Sequence, residues 1–440
     1  MRNVTHEAVV VGGGIAGLAA AWELRDRDVV LLEASDRVGG RIRSERRGRY
    51  WLNFGAHVFA GAATATDALL RQTGVEAAEI PGVLTAVELR GRVVAGGRIE
   101  SYPFRLPLRL ADRIALARAG IRLRRAVAQY DRALRSGDQG RVLAFQGEST
   151  FTAWLRRVPD DVDAIIRPTL QRSSGEPEEL AAGYGIGYFH LVWDRSGGLA
   201  RNILGGPASL PEAIAAALGD RVLTGTRVHM VAAEGDGLRV VHERGELRAR
   251  CAVVATPAHV TATVVRDLPE ATRAALGEIV YGPYVVGAFL TRETERTPWD
   301  GIYALAAARR SFNLLFNTAN ILRGQEAKRE PGGSLMVYAA ASLGRRLWDA
   351  ADDDVIEAYL GDIDDFLPGL RDVVAESVVH RWKHGVPYVR PGRHRLQPAL
   401  TRPLGDIFLA GDYLGIRYTD TAISTGVAAA AAVRQRLEEI

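Results

Sequence analysis

The sequence predicts an α/β fold of two domains, and three observations predict it. Near the start, the apolar run Ala8-Val9-Val10-Val11 leads through Gly12-Gly13-Gly14-Ile15-Ala16-Gly17 into a helical pattern, Leu18 to Leu24. A second apolar run, Val29 to Leu32, follows and is closed by Glu33. Short buried-strand patterns separated by turn residues return at 220–256 and again at 407–437. Finally, 440 residues are too many for a single core, and the stretches between these blocks are long enough to build a second one.

The first block reads as strand, glycine turn, helix, strand and acid, with the acid 21 residues after the first glycine. Gly12 permits the tight turn, Gly14 leaves the backbone open to a pyrophosphate, and Gly17 lets helix and strand pack closely. The free N–H groups of the first helical turn, which includes Ala16, face phosphates. Glu33 is placed to accept from ribose hydroxyls. Together these residues describe a Rossmann-like dinucleotide-binding unit.

The residues after Glu33 narrow the cofactor. Ala34-Ser35-Asp36-Arg37-Val38-Gly39-Gly40-Arg41-Ile42 resembles the extended fingerprint of FAD enzymes in the flavin amine oxidoreductase superfamily. That superfamily holds monoamine and polyamine oxidases, protoporphyrinogen oxidase, phytoene desaturases and UDP-galactopyranose mutase. The resemblance implies that Glu33 and Ala34 are cofactor contacts, and that Gly40 and Arg41 lie along the pyrophosphate and ribityl chain. The fixed charge and forked donors of an arginine suit phosphate oxygens.

The second block is a meander of short strands ending in Ala255-Thr256-Pro257, similar to the superfamily's "vvAtP" return to the FAD domain. The resemblance implies that Val228 meets the adenine through its backbone. In the third block, the strand Ile407-Phe408-Leu409-Ala410 runs into Gly411-Asp412 and then a helix from about Asp420 to Leu437. Relatives use this turn to bring a carboxylate, here Asp412, to the ribityl hydroxyls. The start of the next helix, here Asp420, Thr421 and Ala422, aims its N–H groups at the flavin N1/O2 edge. A helix N-terminus stabilises the negative charge of reduced flavin there.

The expected organisation is therefore a discontinuous, Rossmann-like FAD-binding domain at 1–95, 205–265 and 395–440. An α+β substrate-binding domain, amine oxidase-like in kind, is expected at 96–204 and 266–394. Apolar periodicity makes the first insertion mostly helical, over Leu106–Leu134 and Phe151–Leu170. The second carries strands at Val285–Leu290, Phe312–Phe316 and Leu335–Ala341, then a helix near Asp354–Phe366.

Four further segments bear on chemistry. Phe54-Gly55-Ala56-His57-Val58-Phe59 resembles the "GaHxF" segment of carotenoid desaturases and UDP-galactopyranose mutase, which passes along the flavin ring. Gly55 and Ala56 then border the ring. His57 is either a proton-transfer group at neutral pH or a histidine hydrogen-bonded to flavin or backbone. Amine oxidases of the superfamily commonly hold a lysine near flavin N5; Val286 stands nearest that position, with no lysine within 40 residues. The stretch Arg381-Trp382 to Pro387-Tyr388 resembles the "RWxxAxPxY" run of protoporphyrinogen oxidase-like proteins. Tyr418 falls where monoamine oxidases place one tyrosine of an aromatic cage, and no second tyrosine stands near Gly392 to His394. The expected substrate walls are Val286, Trp382, Tyr388 and Tyr418, with His57 and Tyr418 as candidate catalytic groups.

Composition excludes several classes. The net charge of +4 is small for this length, and neither a basic aromatic stripe nor zinc-type spacing is present, so neither nucleic acid nor metal is expected. Cys251 is the only cysteine, which rules out a disulfide within the chain and suits a cytoplasmic protein. It lies far from the C-terminal motif, so FAD is expected to be held non-covalently. No signal segment precedes the first strand and no run of 18 apolar residues occurs. The stretch 105–135 holds nine arginines against Asp112 and Asp131, and reads either as a contact for an anionic membrane surface or as a solvated helix face. The expected activity is hydride transfer from a small, largely apolar cyclic or conjugated substrate to flavin N5, with O2 or another acceptor reoxidising the flavin. The alternatives are an amine oxidase releasing imine and hydrogen peroxide, or a mutase working without net redox. Oligomeric state is left open.

Overall fold

The computed structural model describes residues 5–81, 86–193, 199–326, 328–416 and 418–439. Thr5–Val11 lies parallel to both Val29–Leu32 and Gly245–Val254, and Ile407–Leu409 extends the same sheet beyond Val254. Covered on both faces, the first strand has no polar side to show, which is why Ala8 to Val11 read as one apolar run. Gly237–His242 and Val228–Glu234 continue the sheet antiparallel, as the meander predicted. The helix Ile15–Glu23 and the last helix, Tyr418–Glu439, pack together on one face. Their closest approach needs Gly426, where a Cβ would fall 2.1 Å from the Ala16 carbonyl oxygen.

The second sheet runs in the order Val374–Tyr388, Val280–Thr291, Gly333–Ala340, Leu314–Asn317, Ala304–Ala307, Ala86–Leu89, Arg92–Val94. Alternation splits its two faces. Val285, Phe289 and Val337 pack against Val355, Tyr359 and Ile363 of the helix Asp352–Asp364. Tyr284, Val286, Met336 and Tyr338 point the other way, toward the first domain.

Sheet membership differs from the expected boundaries in two places. Residues 86–94, expected in the 1–95 block, belong to the second sheet because Ala86 pairs in parallel with Leu305. The strand Leu199–Ile203, expected in the substrate domain, pairs with Phe59–Ala60 and Ala77–Glu79. We propose domain boundaries moved accordingly, to between 81 and 86 and to about 199. Between them lie seven helices from Tyr102 to Trp193. Phe104, Leu110 and Ile121 stand 70%, 73% and 56% exposed on this helical layer. No helix among the described residues is long and apolar enough to cross a membrane.

Candidate active site

The glycine turn divides its three roles as steric space requires. Gly12 adopts φ +105° and donates to the Leu32 carbonyl at 2.8 Å. A Cβ on Gly17 would lie 1.9 Å from the Gly12 oxygen, so helix and turn are in contact. A Cβ on Gly14 would meet nothing within 4 Å, so this glycine faces open space. Gly14 caps the helix without a side-chain hydrogen bond, and no acid stands in the first turn. The N–H donors of that turn, Ala16 and Gly17 among them, therefore remain for an outside acceptor. Glu33 Oε2 accepts from Gly13 N at 2.6 Å and Oε1 from Ser35 N at 2.7 Å. Ala34 is exposed beside it, and Thr226 N donates to the Glu33 carbonyl at 2.7 Å, which brings the segment leading to the buried Val228 alongside. This arrangement fits an anionic, pyrophosphate-bearing group.

Arg41 joins the chain's first and last blocks. Its Nη2 meets Asp412 Oδ1 at 2.9 Å and its Nη1 donates to the Gly385 carbonyl at 2.8 Å. Burial works against the guanidinium charge, but the Asp412 carboxylate, together with Tyr281 and Tyr284, offsets it and the arginine's pKa is raised. Gly40, exposed at φ +55°, stands over Gly14.

The Gly55–His57 segment is laid along this pair by backbone bonds, Phe54 N to Arg43 O and Ala56 N to Arg41 O. Only glycine fits at 55, since a Cβ would sit 2.0 Å from the Arg41 oxygen. His57 donates from Nδ1 to the Gly55 carbonyl at 3.0 Å, leaving buried Nε2 as a bare acceptor with no partner. Burial, with help from the Arg172 charge, pushes its pKa from 6.5 down to about 4. The ring is therefore neutral at neutral pH, with Nδ1 hydrogen-bonded to backbone as one expected alternative has it and Nε2 left as an acceptor.

A cavity of about 170 Å³ opens beside this segment and is lined by Arg41, Gly55, Ala56, His57, Val286, Trp382, Tyr418 and Asp420, among others. Trp382 is pinned there by a 2.6 Å bond from Nε1 to the Phe54 carbonyl. Tyr418 takes φ +48°, a backbone region uncommon for a tyrosine, and sets its ring edge-on to Tyr188 at 5.7 Å. Asp420 accepts through Oδ1 from Thr66 N and Oγ1. Thr421 and Ala422 are buried behind it.

Tyr388 does not line this cavity, contrary to expectation. Two extra residues bulge from its strand where Gly282–Tyr284 faces Trp382–Val386, and Tyr388 lies beyond the bulge, paired with Val280. The Tyr388 ring packs instead against Gly175. Residues that sequence reasoning missed complete the walls: Arg172, Tyr188, Tyr284, Phe316, Met336 and Tyr338. Strand alternation carried the signal for some of them, since Tyr284 stands two residues before Val286 and Tyr338 is the cross-strand partner of Val286. A second, mostly apolar cavity of about 430 Å³ shares Val58, Arg172, Tyr188 and Phe316 with the first and extends among the helices Leu110–Leu134 and Asp160–Gln171.

A family model described as flavin containing amine oxidoreductase matches residues 15–434. The chain belongs to this family. The cofactor of the chain is FAD. The chain is similar to a protein of Mycobacterium tuberculosis named a flavin-containing monoamine oxidase, at 29% identity over 275 residues, which are 58% of this chain and 57% of that one. The chain thus matches little more than half the length of that relative. The solved structure of cyclohexylamine oxidase from Brevibacterium oxydans superimposes with a TM-score of 0.80 at 20% identity, covering 99% of this chain and all of that one. A structure named a protoporphyrinogen oxidase, from Exiguobacterium, gives 0.74 at 16% identity, covering 99% and 100%. At these identities the two structures establish the amine oxidase-like fold.

Proposed function

We propose that this flavin amine oxidoreductase oxidises a small, largely apolar, cyclic or conjugated organic substrate. When bound, FAD supplies the hydride acceptor, and O2 or another acceptor restores it. Gly12, Gly14, Ala16 and Gly17 receive the pyrophosphate. Glu33, with Ala34 beside it, takes the ribose through lone pairs left over from Gly13 and Ser35, and Val228 takes the adenine. Gly40, Arg41, Gly411 and Asp412 follow the ribityl chain. Gly55, Ala56 and His57 border the ring on one side, and the helix start at Asp420, Thr421 and Ala422 borders it on the other.

The observation that carries the substrate reading is the charge of the walls. Both lysines, Lys328 and Lys383, are exposed. Arg41 is spent on Asp412, and Asp420 Oδ1 is spent on Thr66. What else faces the cavity is mostly aromatic or aliphatic, with the cation of Arg172, the His57 ring, Thr419 and the Asp420 carboxylate as its polar groups. The Arg172 cation disfavours a protonated amine, and the apolar walls accommodate a neutral or anionic apolar molecule. Val286, Trp382, Tyr418 and Tyr338 orient such a molecule and keep water out, and neutral His57 offers only its Nε2 lone pair. The apolar walls also argue against a sugar-nucleotide mutase, which needs several basic groups for a diphosphate. The second reading, an amine oxidase, is favoured by the names of similar proteins.

The purified protein should absorb near ~450 nm and release FAD in acid. Anaerobic mixing with conjugated apolar compounds should bleach that band, and an amine panel should give no peroxide. Rapid peroxide formation with amines alone would reverse the order of the two readings.

A further inference from the structure

We propose that Arg172 receives a carboxylate of the substrate, so that the substrate is an organic acid with an apolar body. The inference rests on the preceding reading of the walls and narrows it. Arg172 lies just beyond the helix Asp160–Gln171 and lines both cavities. Its backbone is held in place, because its carbonyl accepts from the Tyr284 hydroxyl. Its guanidinium lies 5.9 Å from the centre of the Tyr188 ring, and its charge acts on His57, Tyr303, Tyr338 and Tyr418.

No carboxylate among the described residues pairs with it. The acids that follow it in the chain are engaged elsewhere: Glu176 and Glu178 by Arg167, and Glu179 by the Glu176 amide. A cation held among tyrosines at the junction of two apolar cavities is costly unless something anionic meets it. One planar fork suits a carboxylate, which accepts two parallel bonds, better than a phosphate dianion, which calls for more than one cation. The larger cavity then takes the apolar body, and the smaller one takes the carbon to be oxidised.

The test titrates the FAD-loaded protein with phenylbutyrate, its primary amide and the matching amine, reading the perturbation of the flavin absorbance band. The acid should bind about 10- to 100-fold more tightly than the amide. Arg172→Gln should erase that preference while keeping the ~450 nm band, and Arg172→Lys should keep part of it. An acid that binds the wild type no more tightly than the amide, or not at all, overturns the assignment even if the variants fail to fold. So does a preference that survives Arg172→Gln. Best binding by the amine, with peroxide formed from it, would sink the substrate reading itself, whereas equal binding of acid and amide would sink only the role of Arg172.

Discussion

Acidification should destabilise this protein through His57, and the size of the effect follows from its surroundings. The ring is 7% exposed, stacks edge-on against Phe316 at 4.6 Å, and has its pKa pushed from 6.5 to about 4. Above pH 6.5 both folded and unfolded chains carry it neutral, and it contributes no pH dependence. Between 6.5 and 4 the unfolded chain binds a proton that the folded chain refuses, so stability falls as pH falls. Each unit is worth ~1.4 kcal/mol, giving ~2 kcal/mol by pH 5 and ~3 kcal/mol by pH 4. The assay is urea unfolding at pH 7 and pH 5 for the wild type and His57→Asn, whose amide still donates to the Gly55 carbonyl but does not titrate. Lost packing on Phe316 shifts the variant equally at both pH values, and His380, also pushed to about 4 by burial and by Arg43, affects both proteins alike. The pH-dependent loss should therefore be ~2 kcal/mol smaller in the variant. Equal losses in the two proteins would refute the reasoning, as would direct titration of His57 near 6.5.

Gly14→Ala should leave the thermal midpoint of the apoprotein nearly unchanged while weakening FAD retention, because its Cβ meets no protein atom. Gly17→Ala, colliding with the Gly12 oxygen, should cost ~1–3 kcal/mol of stability in the apoprotein itself, read by urea unfolding. Asp412→Asn strands the Arg41 charge and should lower FAD occupancy, measured as the ratio of flavin to protein absorbance. Tyr418→Ala should disturb turnover while leaving bound FAD intact, checked by flavin content beside steady-state rates. Sedimentation with anionic vesicles, compared with neutral ones, tests the exposed Phe104, Leu110 and Ile121 among their arginines; equal pelleting would make them an ordinary solvated face.

What could be read from sequence was what is local in the chain. The roles of Gly12, Gly14 and Gly17 depend on one turn, and each meets the space expected of it. The strands around Val285 and Leu335 announced themselves by composition. Ala86–Leu89 was misassigned because its parallel partner, Leu305, lies far along the chain and no local pattern names it. Tyr388 was misplaced because it lies beyond a bulge in its strand and packs beside Gly175, a neighbour far away in the sequence. His57 stood out as a residue type, but its neutral state depends on burial, with its ring against Phe316 and Tyr303, which spacing does not reveal. Arg172 was hidden by composition: where all basic residues but Lys328 and Lys383 are arginine or histidine, one more arginine carries no signal until its surroundings are seen.

The central sheet closes late in synthesis. Val254 waits beside the glycine turn for Leu409, 155 residues further on, before its outer edge is paired. At translation rates of 5–20 residues per second, that edge stands open for roughly 8 to 30 s. Meanwhile the apolar backbone of Ala252 to Val254 offers unsatisfied donors and acceptors to any passing strand. The Asp412 that pairs with Arg41 leaves the ribosome only three residues after Leu409. Slowing translation across the second insertion should therefore lower soluble yield more than slowing it across the first.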